Sequence, residues 1–166
     1  MNYRVDSGKL TVQARSKLHD TTTVWDKVTG EVEADANAIE AAHATFAVDM
    51  TSFDAGDWLK NRKLKKDFEL EAHPKATFEL RKVTDVVRDG AKFTATAEGV
   101  LRWRGKEVVL TLAGRGTVDD VRVEASATFA LDIKKLGLSA PRFLMMKMED
   151  EVSVEVSVAG RCAVLA

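Results

Sequence analysis

The sequence feature that most constrains the fold is a strict alternation of apolar and polar side chains. Between residues 121 and 133 almost every second residue is apolar, and residues 93–103 and 152–158 repeat the pattern. This two-residue period predicts β-strands with one buried face, because successive side chains of a strand point to opposite sides. Turn signals such as Arg88-Asp89-Gly90 and Asp119-Asp120 separate the alternating segments. The pattern therefore indicates an antiparallel meander.

The length of these segments favours a closed barrel. Seven to nine strands are expected, and the longest alternating segments cover eleven to thirteen residues, which is about 36–44 Å at the usual rise per residue. Long strands with one apolar face suit a barrel better than a sandwich, because closure removes exposed sheet edges. The 166 residues have the size of one domain. We expect a single all-β domain over residues 1–166, an extended antiparallel β-barrel of about eight strands.

The interior of such a barrel has two interpretations, since about eight strands leave a space that is either just filled or able to hold one ligand. In the first, glycines bend the sheet and aromatic rings fill the space. In the second, small residues line an apolar tunnel for a long hydrocarbon. Composition alone slightly favours the filled interior. The expected inner face carries many small residues and fewer large ones, namely Ala14, Ala34, Ala95, Ala97, Gly99, Gly114, Gly116, Ala125 and Ala127 against Phe46, Phe78, Phe93, Trp103 and Phe129.

Two segments interrupt the alternation. Residues 54–67 predict a short helix capped by Asp54, with Asp57 in its first turn. Its cations are candidates for contact with an anionic head group or a membrane surface, although charge runs are usually solvated helix faces. Residues 134–148 predict a loop with one helical turn, in which Met145 could line a portal or pack in the core. Five positive charges fall within seven positions of the helix, at Lys60, Arg62, Lys63, Lys65 and Lys66.

The composition argues against several classes of function. Lys and Arg number 25 against 26 acidic residues, so a nucleic-acid partner is not expected. No apolar run has the length of a signal peptide or the roughly 18 residues of a transmembrane span, so we expect a cytoplasmic protein if Met1 is the native start. The three histidines lie far apart, Cys162 is the only cysteine, and no nucleophile elbow or phosphate loop is present. We therefore expect no metal, no cofactor and no catalysis.

Several motifs along the chain resemble those of the YceI-like family. The central segment carries the main resemblance, with Gly56, Arg62, Leu64, Asp67-Phe68, His73-Pro74 and Phe78 in the family's order. The opening Tyr3-x-Val5-Asp6, the hairpin at residues 101–106, and the C-terminal Leu136-Gly137-Leu138 and Asp150-Glu151-Val152 are similar too. The resemblance implies a lipocalin-like extended barrel with an apolar lumen, in a family associated with polyisoprenoids or related long amphiphiles.

With this resemblance, we expect a protein that binds a long-chain isoprenoid or fatty-acid-like ligand in the barrel and sequesters or transports it. The alternatives are a structural barrel with a filled core and, less favoured, a lipid-modifying enzyme. A homodimer and a transient membrane contact are also compatible with the sequence. For the head group we expect Lys60, Arg62 and Lys63. The residues expected in the lumen are Phe46, Val48, Trp58, Phe68, Phe78, Phe93, Ala95, Leu112, Phe129, Leu131 and Met145.

Overall fold

The fold is predominantly β-sheet in a computed structural model that describes residues 1–16, 20–138, 142–143 and 146–163. The described residues form one α-helix, α1 (Trp58–Asp67), and two single-turn 3-10 helices at Ile39–Ala41 and Ile133–Leu136. The strands are β1 (Asn2–Arg15), β2 (Asp20–Trp25), β3 (Val28–Glu33), β4 (His43–Asp49), β5 (Phe53–Asp54), β6 (Lys75–Asp89), β7 (Lys92–Trp103), β8 (Lys106–Val118), β9 (Arg122–Asp132), β10 (Arg142–Phe143), β11 (Met146–Lys147) and β12 (Glu151–Cys162).

Antiparallel pairing closes the sheet into an eight-stranded barrel, as the sequence predicts. The order around the barrel is β1, β3, β4, β6, β7, β8, β9 and β12, and β12 pairs again with β1. Along its other edge, the first part of β1 pairs with β3, from Asn2↔Glu33 to Val5↔Gly30. The second part pairs with β2, from Leu10↔Trp25 to Arg15↔Asp20. Both pairings keep one register, so β2 and β3 act as a single strand interrupted at residues 26–27. Closure leaves β1 with a partner along both of its edges, which removes the edge-strand liability.

Two inner-face glycines lie beneath aromatic rings. A Cβ built on Gly99 would fall 2.5 Å from the carbonyl oxygen of Glu79 and would overlap the ring of Phe78. A Cβ on Gly30 would overlap the carbonyl of Thr45 and lie 2.8 Å from Cδ1 of Phe46. The two rings stack with their centroids 6.5 Å apart. At Gly30 and Gly99, therefore, the missing side chains let bent strands approach and the aromatic rings fill the space. This is the first of the two interpretations of the interior.

Gly114 has a different environment. It lies on the inner face of β8, opposite Ala95 and Ala127. The nearest atoms to a Cβ built there are carbonyl oxygens at 3.8 Å, which is ordinary contact distance. Gly114 is therefore not required for close strand approach, and its missing side chain leaves space inside the barrel.

Apolar clusters lie at the two ends of the barrel. At the end where β1 begins, Tyr3, Val118 and Val123 pack together, and the Tyr3 hydroxyl donates a hydrogen bond to the carbonyl of Asp119. Burial raises the pKa of this phenol, and the negative charges near it act in the same direction. The opposite end is filled by a larger group of buried side chains, including Trp25, Met50, Leu70, Trp103, Leu136 and Met148.

Alanine substitution at the two kinds of glycine should separate their roles. Gly99→Ala should lower the free energy of unfolding by about 1–3 kcal/mol, because the new methyl group overlaps backbone and ring atoms. Gly114→Ala should keep or raise stability, by up to about 1 kcal/mol, because its Cβ fits and the unfolded chain loses entropy. Urea denaturation of both variants measures the difference. Equal losses would contradict the distinct environments of the two glycines.

Candidate functional site: the barrel lumen

The middle of the barrel is hollow between its two apolar ends. Strands β1, β12, β9, β8 and β7 contribute directly paired residues that form rows around the inner face. Every residue in two of these rows is partly exposed. Inner-face side chains can meet solvent only from inside the barrel, so this exposure indicates open space in the lumen. The rows consist of Leu10, Val156, Ala127, Gly114 and Ala95, and of Gly8, Val158, Ala125, Gly116 and Phe93. In this part of the barrel small residues therefore border a hollow, as the second interpretation expects, while its use by a hydrocarbon stays a prediction.

The inner face is almost free of charge. In the register of the described strands, Arg88 is the one charged residue on that face, at the rim of β6 opposite Phe93. Its Nη2 donates to the carbonyl oxygen of Gly90 at 3.1 Å. Thr21 and Thr23 are buried polar residues on the face that carries Ala14 and Val12. Such a lumen can accept hydrocarbon, whereas a charge placed deep inside it would lie unpaired at high cost.

Most of the expected lumen residues do lie on the inner face. Leu112 is buried against the larger end cluster. For all expected residues that lie on the inner face, the role as ligand contacts stays a prediction. The expected lumen residues that lie on the inner face with partly exposed side chains are Phe46, Val48, Phe78, Phe93, Ala95, Phe129 and Leu131.

Two expected lumen residues, Phe68 and Trp58, lie off the inner face of the strands. Phe68 is half-buried and packs on the cluster at the α1 end of the barrel. Trp58 is 68% exposed, so the prediction that it lies in the lumen is wrong. It begins α1 on the side of the helix that faces away from the buried Leu64. Met145 lies outside the described residues.

The helix begins later than the sequence predicts. Asp57 is the N-cap, and its carboxylate accepts a hydrogen bond from the backbone N–H of Lys60 at 2.8 Å. Asp54, the expected cap, instead accepts from the N–H of Gly56 at 2.9 Å and from the side chain of Asn61 at 3.3 Å. Either aspartate satisfies the preference for a cap, so the local sequence did not distinguish the two.

The predicted head-group cations lie on different sides of α1. Lys60 is half-buried, within about 40° of Leu64 around the helix axis. Lys63 is at the flank and forms an ion pair with Asp67 at 3.0 Å. Arg62 is exposed, about 160° away from Leu64. None of the three lies on the inner face of a strand, so a head-group contact by these residues would have to form outside the lumen.

A contact that the sequence analysis missed holds the α1 segment over the barrel. Arg104 and Gly105 have positive φ angles of 56° and 73°, as a two-residue type I′ hairpin turn requires. From this turn Arg104 Nη1 donates to the carbonyl of Phe68 at 2.7 Å, and its guanidinium lies 5.8 Å from the Trp103 ring centroid. Trp103 Nε1 donates to the carbonyl of His73 at 2.8 Å. The Trp-Arg-Gly turn was visible in the sequence, but its distant partners were not.

The barrel wall has a lateral gap between β8 and β9. Their pairing stops at Ala113↔Thr128, whereas β8 stays paired with β7 to Lys106 and β9 stays paired with β12 to Asp132. Residues 106–112 and 129–132 therefore face each other without a ladder. The 3-10 turn Ile133–Leu136 packs beside this part of β8. The gap opens next to Leu112, Phe129 and Leu131, three of the expected lumen residues.

The described residues offer no arrangement suited to a metal ion, since they contain no group of three His, Cys, Asp or Glu side chains placed to hold one. Among the helices that the structure describes, none combines the length and apolarity needed to cross a bilayer.

Comparisons with known proteins agree with this architecture. The model of a family described as YceI-like domain matches residues 3–159. A polyisoprenoid-binding domain from Saccharophagus degradans is similar in structure, with a TM-score of 0.78, 15% identity, and coverage of 96% of this chain and 98% of that one. BcnA of Burkholderia cenocepacia has a TM-score of 0.74, 19% identity, and coverage of 92% and 95%. The YCEI protein of Campylobacter jejuni has a TM-score of 0.73, 12% identity, and coverage of 90% of both chains. No curated protein sequence matches the chain.

Loss of the Arg104 contact should loosen α1. We expect Arg104→Gln to increase amide hydrogen exchange of residues 58–73 about tenfold or more, because a hydrogen bond from a charged donor contributes roughly 1.5–3 kcal/mol. Arg81→Gln is the matched control, since Arg81 is exposed and its nearest carboxylate oxygen, on Glu79, is 3.6 Å away. Hydrogen exchange with mass spectrometry resolves the segment. Unchanged exchange in Arg104→Gln, or equal changes in both variants, would contradict the holding contact.

Proposed function

We propose a function for this chain on the basis that it belongs to the YceI-like family. We propose that its barrel binds a long-chain apolar ligand, a polyisoprenoid or related lipid, in the lumen, and that it sequesters or transports this ligand without chemically changing it. The structurally similar domain from Saccharophagus degradans is a polyisoprenoid-binding domain, which supports the choice of ligand class.

The observation that carries the proposal is the set of partly exposed apolar rows inside the barrel. Hydrocarbon that fills this space removes its own surface and that of Leu10, Val156 and Phe93 from water. Each buried CH₂ contributes about 0.8 kcal/mol, before the entropy costs of association are subtracted. A long chain can therefore bind tightly without any polar contact. The absence of charge from the described inner face, apart from Arg88 at the rim, favours a ligand with its tail inside and its polar group outside.

The alternative is a structural barrel with no ligand. The stacked rings of Phe46 and Phe78, which cover Gly30 and Gly99, favour it locally. In that case the half-exposed rows would be empty or would hold only water. Apolar cavities that stay empty carry a cost of roughly 24 cal/mol per Å³, so a retained hollow of this kind is better explained by an occupant.

Filling the lumen with side chains should block binding. Ala127→Phe places a ring in the middle of the inner face. We expect at least a tenfold loss of affinity for a fluorescent polyprenol, because displacing only two CH₂ groups already costs about 1.6 kcal/mol. Thr128→Phe is the matched control, since Thr128 is the next residue of β9 and points outward to solvent. Ala95→Leu, in β7, serves as a second lumen variant if Ala127→Phe does not fold.

Native mass spectrometry of the purified parent protein should show added mass that organic extraction removes, and the extract identifies the lipid. The same spectra report whether the protein is a homodimer. A clean apo mass together with no uptake of polyprenol or palmitate would refute the carrier function. Equal loss of binding in Ala127→Phe and Thr128→Phe would place the ligand outside the lumen.

A further inference from the structure

The outward face of α1 combines exposed apolar and cationic side chains. At about 100° per residue, Leu59, Arg62 and Lys66 lie about 140–160° from the buried Leu64, and Trp58 lies about 120° from it. Trp58 and Leu59 are 68% and 62% exposed. Among the large apolar side chains whose exposure the structure describes, only valines reach similar values. A globular helix normally places such residues toward the core, so this face has the reverse arrangement.

The charges of this face have no acidic neighbours on it. Lys63 and Lys65, at its flanks, form ion pairs with Asp67 at 3.0 Å and Glu71 at 2.6 Å. In the part of the chain that the structure describes, Arg62 and Lys66 have no carboxylate within ion-pair distance. Two unpaired cations therefore follow two exposed apolar side chains along one side of the helix.

We propose that this outward face of α1, formed by Trp58, Leu59, Arg62 and Lys66, docks on the surface of an anionic lipid bilayer. Tryptophan partitions to the interface between hydrocarbon and head groups, where Leu59 can bury its side chain beside it. Arg62 and Lys66 then lie level with lipid phosphates, which attract cations near the surface. A helix with this division lies in the plane of the interface without crossing the bilayer.

The position of α1 in the fold agrees with this orientation. The segment that follows the helix is held over the barrel end by Arg104 and Trp103, and β8 leaves that same turn at the start of the lateral gap. A bilayer under α1 would therefore lie beside the end of the barrel where the wall is unpaired. The docking proposal does not depend on ligand binding in the lumen, because every residue of the docking face points away from it.

The three tryptophans make the proposal directly measurable. Trp25 and Trp103 are only 5% and 7% exposed, so a change in emission on addition of vesicles reports on Trp58. With vesicles of phosphatidylcholine and phosphatidylglycerol, we expect a blue shift of emission and sedimentation of the protein with the vesicles. Pure phosphatidylcholine should give little of either, and added salt should reverse the binding because it screens the cations.

Paired variants separate the contributions. Arg62→Glu with Lys66→Glu, and Trp58→Ser with Leu59→Ser, should each lower the partition coefficient about tenfold or more. Lys82→Glu with Arg115→Glu is the control, since it makes the same change in net charge on the outer barrel wall. Trp58→Phe should abolish the blue shift while binding stays within about threefold.

Three results would overturn the docking surface. The first is an unshifted emission with anionic vesicles, and the second is a control variant that loses as much binding as the α1 variants. The third is self-association without lipid that Trp58→Ser with Leu59→Ser abolishes, which would make the face a contact between two copies of the chain. Ala127→Phe, which fills the lumen, should bind vesicles like the parent protein, so a failure of the proposed carrier function and a failure of docking give different results.

Discussion

Closure of the hydrogen-bonded sheet is the constraint on which the rest of this structure depends. Strand β1 must satisfy partners on both edges, with β12 on one side and with β3 and then β2 on the other. The register against β12 shifts between Val5 and Ser7, which is a bulge that sharpens the local bend. Without bends of this kind, strands as long as β6 and β8 could not wrap into one cylinder and would leave long edges exposed.

The same curvature explains why small residues on the inner face have two different functions. At Gly30 and Gly99 bent strands approach so closely that a side chain has no room, and a phenylalanine ring from the neighbouring strand covers each glycine. Where strands keep their normal separation, as at Gly114, the missing side chain becomes empty volume. The rings thus fill one part of the barrel, and the lumen is the space that they do not reach. Close strand approach also occurs beside the lumen, where a Cβ on Gly116 would overlap the carbonyl of Glu124.

Much of the fold was predictable from the sequence because alternation is a local property. It identified the long strands and placed Trp103 on the inner face, where it is buried. The orientation of α1 was not predictable in this way. A short helix with scattered apolar residues has no evident core face until Leu64 is known to be buried, and Trp58 was therefore assigned to the wrong side. The Arg104 contact and the lateral gap depend on how distant segments meet, and neither leaves a periodic signal in the sequence.

The distribution of charge follows from the cost of burying it. A cation inside an apolar lumen would have neither water nor a counter-ion, and among the described strands the inner face carries only Arg88, at its rim. Arg104 reaches a site where its side chain is only 13% exposed, but there its Nη1 donates a hydrogen bond to the carbonyl of Phe68 and the Trp103 ring lies beside its charge. The cations of α1 lie outside the barrel. The wall of the barrel therefore separates the apolar lumen from the positive charges of α1. A ligand with a long tail and a polar group would contact the lumen with its tail and the charges with its polar group, on opposite sides of the wall.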